Sequence, residues 1–125
     1  MIDFPGCTNL RDVGGLATVD GSRVARGRLF RGACPPVDAD LVGALGILRV
    51  IDLRAASEFG TEFRGAMPSW TRFHIPILED LSKWPDPVER SPRSIGARYL
   101  DMLEEGQPAL LRILRLWADR INSRR

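Results

Sequence analysis

The chain has two cysteines and one histidine, and this shortage excludes several kinds of site. Cys7, Cys34 and His74 are the residues concerned. They cannot supply a tetrahedral zinc site without carboxylates, and no Cys-x-x-Cys spacing occurs. We therefore expect free thiols, no bound metal and no cofactor.

Long apolar runs and a strong excess of one charge are also absent. No apolar stretch approaches the ~20 residues that span a bilayer, and the N-terminal sequence has no basic region before an apolar one. The 18 basic and 16 acidic residues leave a formal charge of +2. These features predict a cytoplasmic protein with neither nucleic acid nor membrane as a partner. A length of 125 residues, 44% of them hydrophobic, is typical of one domain spanning 1–125.

The first half of the chain predicts a hairpin followed by a short helix. Asp20-Gly21 is typical of a type I′ turn, so we expect a β-hairpin over about 16–31. Asp38 can cap the helix that follows two prolines. The expected buried face of that helix consists of leucines, namely Leu41, Leu45 and Leu48.

Two strand patterns follow. RVIDLR, 49–54, predicts a buried strand because its apolar residues do not alternate regularly with polar ones. A helical turn is expected at 55–63. TRFHIPIL, 71–78, predicts another strand that ends near Pro76.

The C-terminal third predicts a loop and then two helices. The proline-rich segment 81–93 predicts a long loop. Gly106 separates two helical patterns, and Pro108 suits the first turn of the second helix. An apolar stripe at helical spacing predicts core packing or a partner's surface; its residues are Leu103, Leu110, Leu114, Trp117 and Ile121.

Five motifs in this order carry a family resemblance. They are NLRDVGG (9–15), DGSRVARGRLFRGA (20–33), LGILRVIDLR (45–54) with Glu58 after it, HIPI (74–77) and RYLDMLEE (98–105) before a long helix. The chain resembles the bacterial tyrosine phosphatase family that opens with Asn-Phe-Arg-Asp-x-Gly-Gly, with Leu10 in place of the phenylalanine. The resemblance implies an incomplete tyrosine-phosphatase-like α/β fold with an N-terminal hairpin, a small central sheet and C-terminal helices.

The resemblance also implies a catalytic loop that residues 1–125 do not contain. In the family, a His-Cys-x-x-Gly-Lys-Asp-Arg loop follows the final helix and supplies the thiolate and the arginine. Such a loop needs an arginine six positions after its cysteine, whereas Val13 follows Cys7 and Asp40 follows Cys34 at that distance. We therefore expect two structural thiols and no catalytic residue. The expected protein is an inactive N-terminal portion of a phosphatase, and the alternative is a non-catalytic module that binds itself or a partner.

Two Arg-Asp motifs are the candidates for support of a phosphate site. Gly14 and Gly15 allow a tight turn after Arg11 and Asp12. We expect this turn to place Arg11 and Asp12 beside the end of the RVIDLR strand. There they can pair with the charges of Asp52 and Arg54. The resemblance implies that the cluster lies under the phosphate loop, and a buried polar network that fixes the fold is the interpretation we favour over catalysis.

The carboxylates of the long loop and the single histidine are the remaining candidates. Asp80, with Glu79 and Asp86, lies where related phosphatases hold a general acid. His74 is expected to be a core residue with its polar atoms satisfied.

The resemblance also has a consequence for the oligomeric state. In the resembled fold, a central strand of the sheet follows the final helix. Its absence would expose an apolar stripe and a sheet edge, so we expect a homodimer through the C-terminal helix or that edge. The helix residues concerned are Leu110, Leu114, Trp117 and Ile121. A phosphorylated substrate is expected only if another segment supplies the catalytic loop.

Overall fold

The computed structural model describes residues 2, 7–33, 39–58, 71–86 and 88–122. It divides the chain into two compact units, one of Met1–Val50 with Glu62–Arg72 and one of Ile51–Thr61 with Phe73–Arg125. The expected Asp38 cap, Cys34, the end of the 55–63 turn and the side chains of Leu41 and Ile121 lie outside the described residues. The elements, in chain order, are β1 (Arg11–Asp12), β2 (Phe30–Arg31), α1 (Ala39–Ala44), β3 (Arg49–Asp52), β4 (Thr71–His74), α2 (Pro92–Glu105) and α3 (Gln107–Asn122).

The first unit contains the expected hairpin, which starts earlier than the sequence predicts. Strands β1 and β2 pair antiparallel, with Arg11 opposite Arg31 and Asp12 opposite Phe30. Further along the arms, the Val13 amide donates to the Leu29 carbonyl at 2.9 Å. The hairpin therefore runs from β1 to β2.

The tip of the hairpin is not the predicted type I′ turn. The Gly21 amide donates to the Thr18 carbonyl at 3.1 Å, and the Thr18 amide donates to the Ser22 carbonyl at 3.0 Å. Gly21 has a φ of 84°, but Asp20 does not have a positive φ. This pattern belongs to a three-residue loop that ends on a left-handed glycine. The Asp20 carboxylate stabilises it by accepting from the Thr18 hydroxyl and the Ser22 amide.

The core of the first unit corrects the predicted helix face. Val42 of α1 is fully buried against Cys7 and Leu10, and Leu45 packs against this cluster. Leu48, predicted to lie on the same face, is exposed. The reason is that α1 ends at Gly46 in a Schellman motif, a helix end closed by a glycine of positive φ. The amide after Gly46, that of Ile47, donates to the Val42 carbonyl, and Gly46 has a φ of 68°.

Strands β3 and β4 confirm that both patterns form strands. The predicted buried strand 49–54 is too long, however, because β3 ends at Asp52 and Leu53 is exposed. The two strands are hydrogen-bonded neighbours in one sheet. The Thr71 amide donates to the Leu48 carbonyl at 3.1 Å and the Ile75 amide to the Asp52 carbonyl at 2.9 Å. Both partners advance by four residues, as in a parallel pair. Strand β4 ends at His74, so the strand end expected near Pro76 is confirmed.

The second unit contains the two predicted helices. Ser91 caps α2 by accepting from the Ser94 amide at 3.2 Å, and Pro92 occupies the first turn. Gly106 caps its C-terminus, which confirms the predicted break. The predicted 81–93 loop contains a 3-10 turn at Leu81–Lys83 and passes into α2 at Pro92. Among the described residues, no helix has the length and apolar composition that crossing a membrane requires.

Candidate functional site

Asp52, at the end of β3, is a buried charge held by a neighbouring arginine. It is only 2% exposed. Its Oδ1 accepts from the Arg54 Nε at 3.0 Å and from the Arg54 backbone amide at 3.1 Å, and its Oδ2 lies 2.9 Å from Arg54 Nη2. The pair is therefore a bidentate, charge-assisted contact that fixes the orientation of the guanidinium.

The turn after this pair is closed by Glu58. The Ala55 amide donates to Glu58 Oε2 at 2.8 Å, and the Glu58 amide donates to the Ala55 carbonyl at 3.0 Å. An acidic side chain at the third position of a helical turn commonly accepts from the capping residue's amide in this way. No role for Glu58 was predicted, although its spacing from Ala55 is the sequence signal for this contact. The segment 52–58 is thus a turn held at both ends.

His74 contacts the same turn, but the core position expected for it is wrong. The residue is exposed, and its Nε2 lies 2.8 Å from the Arg54 carbonyl oxygen. A carbonyl only accepts, so Nε2 carries the proton in this contact. The side chain therefore supports the Arg54 backbone from β4.

Asp12 closes the base of the hairpin. Its carboxylate accepts from the Gly14 amide at 2.8 Å and from the Gly27 amide at 2.9 Å. The Gly27 bond, the Gly14 bond and the charge of Arg26 hold the pKa of Asp12 below its usual range. A side chain at Gly14 would collide with the Arg26 backbone. The predicted need for a glycine here is thus explained by a close approach of two backbone segments.

The structure brings Asp52 and Arg54 together within the second unit. Arg11 and Asp12 belong to the first unit, where Arg11 is exposed on β1. A single network of all four residues stays a prediction.

Asp80 has a defined local role at the start of the 3-10 turn. It is exposed and accepts from the Ser82 hydroxyl at 2.6 Å and from the Ser82 amide at 3.0 Å. These two bonds lower the pKa of Asp80. A general acid must hold a proton near neutral pH, and this arrangement favours the ionised form. The assignment of Asp80 as general acid stays a prediction that requires Ser82 to release it.

Arg98 of α2 makes a cluster that the sequence analysis missed. Its guanidinium donates to the Pro85 carbonyl at 2.5 Å and to the Trp84 carbonyl at 2.7 Å. The guanidinium carbon also lies 5.7 Å from the centre of the Trp84 ring. Arg98 therefore fastens the segment after the 3-10 turn to α2. Arg98 is 13 and 14 residues from these two partners, and no local sequence pattern predicts contacts at such separations.

Among the described residues there is no exposed cysteine and no metal-binding cluster. Cys7 is outside any disulfide and is buried in the first unit's core, where an apolar setting makes thiols inert. Within the described ranges, no three residues of the types His, Cys, Asp or Glu gather closely enough to hold a metal ion. The turn at Asp52 can therefore orient neighbouring groups.

Comparison with known proteins shows the family of this chain. The tyrosine phosphatase family matches residues 2–123, so the chain belongs to the tyrosine phosphatase family. It is 36% identical over 83 residues to a protein of Cupriavidus necator named "Putative tyrosine-protein phosphatase H16_A0669". The aligned part covers 61% of this chain and 29% of that protein. The chain thus spans less than a third of the length of the curated relative it matches.

Proposed function

We propose that the chain is the N-terminal portion of a tyrosine or dual-specificity phosphatase and that residues 1–125 alone have no cysteine-dependent phosphatase activity. Family membership supports the first part. The second part rests on spacing, because neither cysteine has an arginine six positions later. Cys7 is also buried, out of reach of a substrate.

The role we propose for this portion is to support a phosphate-binding loop. The observation that carries the proposal is the buried Asp52 carboxylate, which holds Arg54 through both Nε and Nη2. An arginine committed in this way is better suited to position a neighbouring loop than to bind the phosphate itself. A residue that only supports a loop does not have to exchange a proton or move during the reaction. The 52–58 turn, which hydrogen bonds hold at both ends, fits that requirement.

The purified chain should not hydrolyse a small aryl phosphate. The assay compares the native chain with Cys7→Ser and Cys34→Ser, since a real cysteine-dependent activity must disappear in one of them. Turnover that survives purification and is lost in either variant would contradict the proposal.

The genomic DNA beyond the codon for Arg125 provides an independent test. A His-Cys-x-x-Gly-Lys-Asp-Arg sequence there, in frame or frameshifted, would support a phosphatase whose catalytic loop lies outside residues 1–125. Its absence would favour a second candidate function, in which the chain is a non-catalytic module.

That second candidate is a non-catalytic module that binds a second copy of itself through α3. The observation in its favour is exposure, because Leu114 is 55% and Trp117 43% exposed on one stripe of that helix. Leu110, on the same stripe, is half-buried. Light scattering of the native chain tests this candidate, and a dimer mass at micromolar concentration is the expected result.

A further inference from the structure

The register of the hairpin places two arginines directly opposite each other. Arg11 of β1 and Arg31 of β2 are partners in the antiparallel ladder. Residues directly opposite in such a pair project to the same face, with Cβ atoms about 5 Å apart. An arginine side chain stays protonated at all ordinary pH values, so two positive charges share this face. A directly opposed pair of like charges destabilises a ladder unless something offsets it.

The acidic residues of the hairpin do not neutralise the positive charge of Arg11 and Arg31. It contains five arginines and two aspartates between positions 11 and 31. Asp12 turns to the backbone amides of Gly14 and Gly27, and Asp20 turns to Thr18 and Ser22.

The arginines of the hairpin differ in their contacts. Arg23 donates to the Gly15 carbonyl at 2.7 Å. Within the described part of the chain, by contrast, the side chains of Arg11 and Arg31 make no hydrogen bond or ion pair, and both residues are exposed.

We propose that Arg11 and Arg31 together bind a phosphate-type oxyanion on the outer face of the hairpin. Each guanidinium offers a planar set of N–H donors that matches a phosphate group, and one dianion can accept from both. Its charge would offset the repulsion between the two arginines, so binding and stabilisation of the hairpin are coupled. This site is independent of catalysis by the family's cysteine loop.

Thermal unfolding and calorimetric titration with inorganic phosphate test the site. Phosphate stabilises folded proteins in general by exclusion from their surface, so the comparison is between variants at matched ionic strength in phosphate and in chloride. The native chain should gain more in melting temperature from phosphate than Arg11→Gln or Arg31→Gln gains. Either variant should also bind phosphate roughly tenfold more weakly, as expected for loss of a charge-assisted hydrogen bond.

Arg28→Gln is the matched control. Arg28 belongs to the same hairpin and is exposed, but it is not one of the two ladder arginines. The control should keep the native response to phosphate. If all three variants respond as the native chain does, or if Arg28→Gln loses as much as the other two, the proposed site is contradicted.

A second arm identifies the source of the phosphate. Vesicles of phosphatidylcholine that contain phosphatidic acid present the same group on a lipid surface. Retention on these vesicles that is lost in both Arg11→Gln and Arg31→Gln assigns the site to a lipid headgroup. Binding of inorganic phosphate without such retention assigns it to soluble phosphate esters, and the lack of both overturns the proposal.

Discussion

Removal of the Asp52 carboxylate should strongly destabilise the second unit. Asp52→Ala removes the carboxylate that pairs with the Arg54 guanidinium, whose side chain is only 19% exposed. Breaking a buried ion pair in this way costs roughly 3 to 5 kcal/mol, and we expect about 3 kcal/mol because Arg54 reaches some solvent. The measurement is the free energy of unfolding from denaturant titration followed by circular dichroism.

The control for this prediction is an exposed ion pair of the same type. The Asp86 side chain is 89% exposed and lies 3.7 Å from Arg90 Nη2. Asp86→Ala should change the free energy of unfolding by less than about 1 kcal/mol. Equal losses in Asp52→Ala and Asp86→Ala would show that the Asp52 pair contributes no more than a surface contact.

Asp12 should make the hairpin sensitive to acid. Its pKa in the folded chain is lowered by the Gly27 and Gly14 amides. The ionised carboxylate therefore stabilises the fold above its unfolded pKa of about 3.9, and this contribution is lost as the pH falls through the lower folded pKa. As the pH is lowered below about 4, we expect the melting temperature of the native chain to decrease. The decrease should be less steep in Asp12→Asn. An Asp12→Asn profile parallel to the native one would contradict this role.

At the scale of elements, two glycines of the α2 region should respond oppositely to alanine. A Cβ on Gly106 would lie 2.5 Å from the Ile77 Cγ2 atom and 3.0 Å from the Met102 carbonyl oxygen, whereas a Cβ on Gly96 meets nothing within 4 Å. Gly106→Ala should destabilise the chain by roughly 1 to 3 kcal/mol through overpacking. Gly96→Ala should stabilise it by roughly 0.5 to 1 kcal/mol, because alanine loses less conformational entropy within a helix. Thermal melts of both variants measure these shifts, and a Gly106→Ala variant that melts at or above the native temperature would contradict the packing at Gly106.

The elements that could be predicted are those determined by local chemistry. Gly106 stops a helix and Pro76 follows the end of a strand, and both boundaries were predicted from these residues. The predicted type I′ turn failed because the Asp20 side chain bonds to Thr18 and Ser22 and favours a three-residue loop. The face of α1 was wrong at Leu48 because Gly46 ends the helix before it, a C-terminal signal that the leucine spacing obscured.

The candidate site shows the same division between local and distant partners. Asp52 and Arg54 are two residues apart, and their pairing could be expected from that spacing. The contact of His74 with the Arg54 carbonyl depends on the pairing of β3 with β4, whose register the sequence does not specify. The contacts of Arg98 with Trp84 and Pro85 likewise join residues far apart in sequence. Residue patterns thus located the turn, and the folded chain supplied the groups that support it.

At the scale of the whole molecule, the exposed stripe of α3 is the feature that self-association would bury. Trp117 and Leu114 lie three residues apart, on one face of the helix, and both remain exposed. A tryptophan buries a large apolar area, so its transfer from water into an interface favours association strongly. Closed two-fold dimers are the commonest arrangement for such self-complementary contacts. We therefore expect the native chain to form a homodimer whose interface includes Trp117.

Trp117→Glu should dissociate this dimer, because a carboxylate at the centre of an apolar interface would lose its hydration. Arg112→Glu is the control, since it places the same side chain on the same helix about 140° away from Trp117 around the axis. Light scattering at micromolar concentration should give a dimer mass for the native chain and for Arg112→Glu, and a monomer mass for Trp117→Glu. A native mass equal to the 13.9 kDa of one chain would contradict the dimer, and a Trp117→Glu variant that stays dimeric would place the interface away from this stripe.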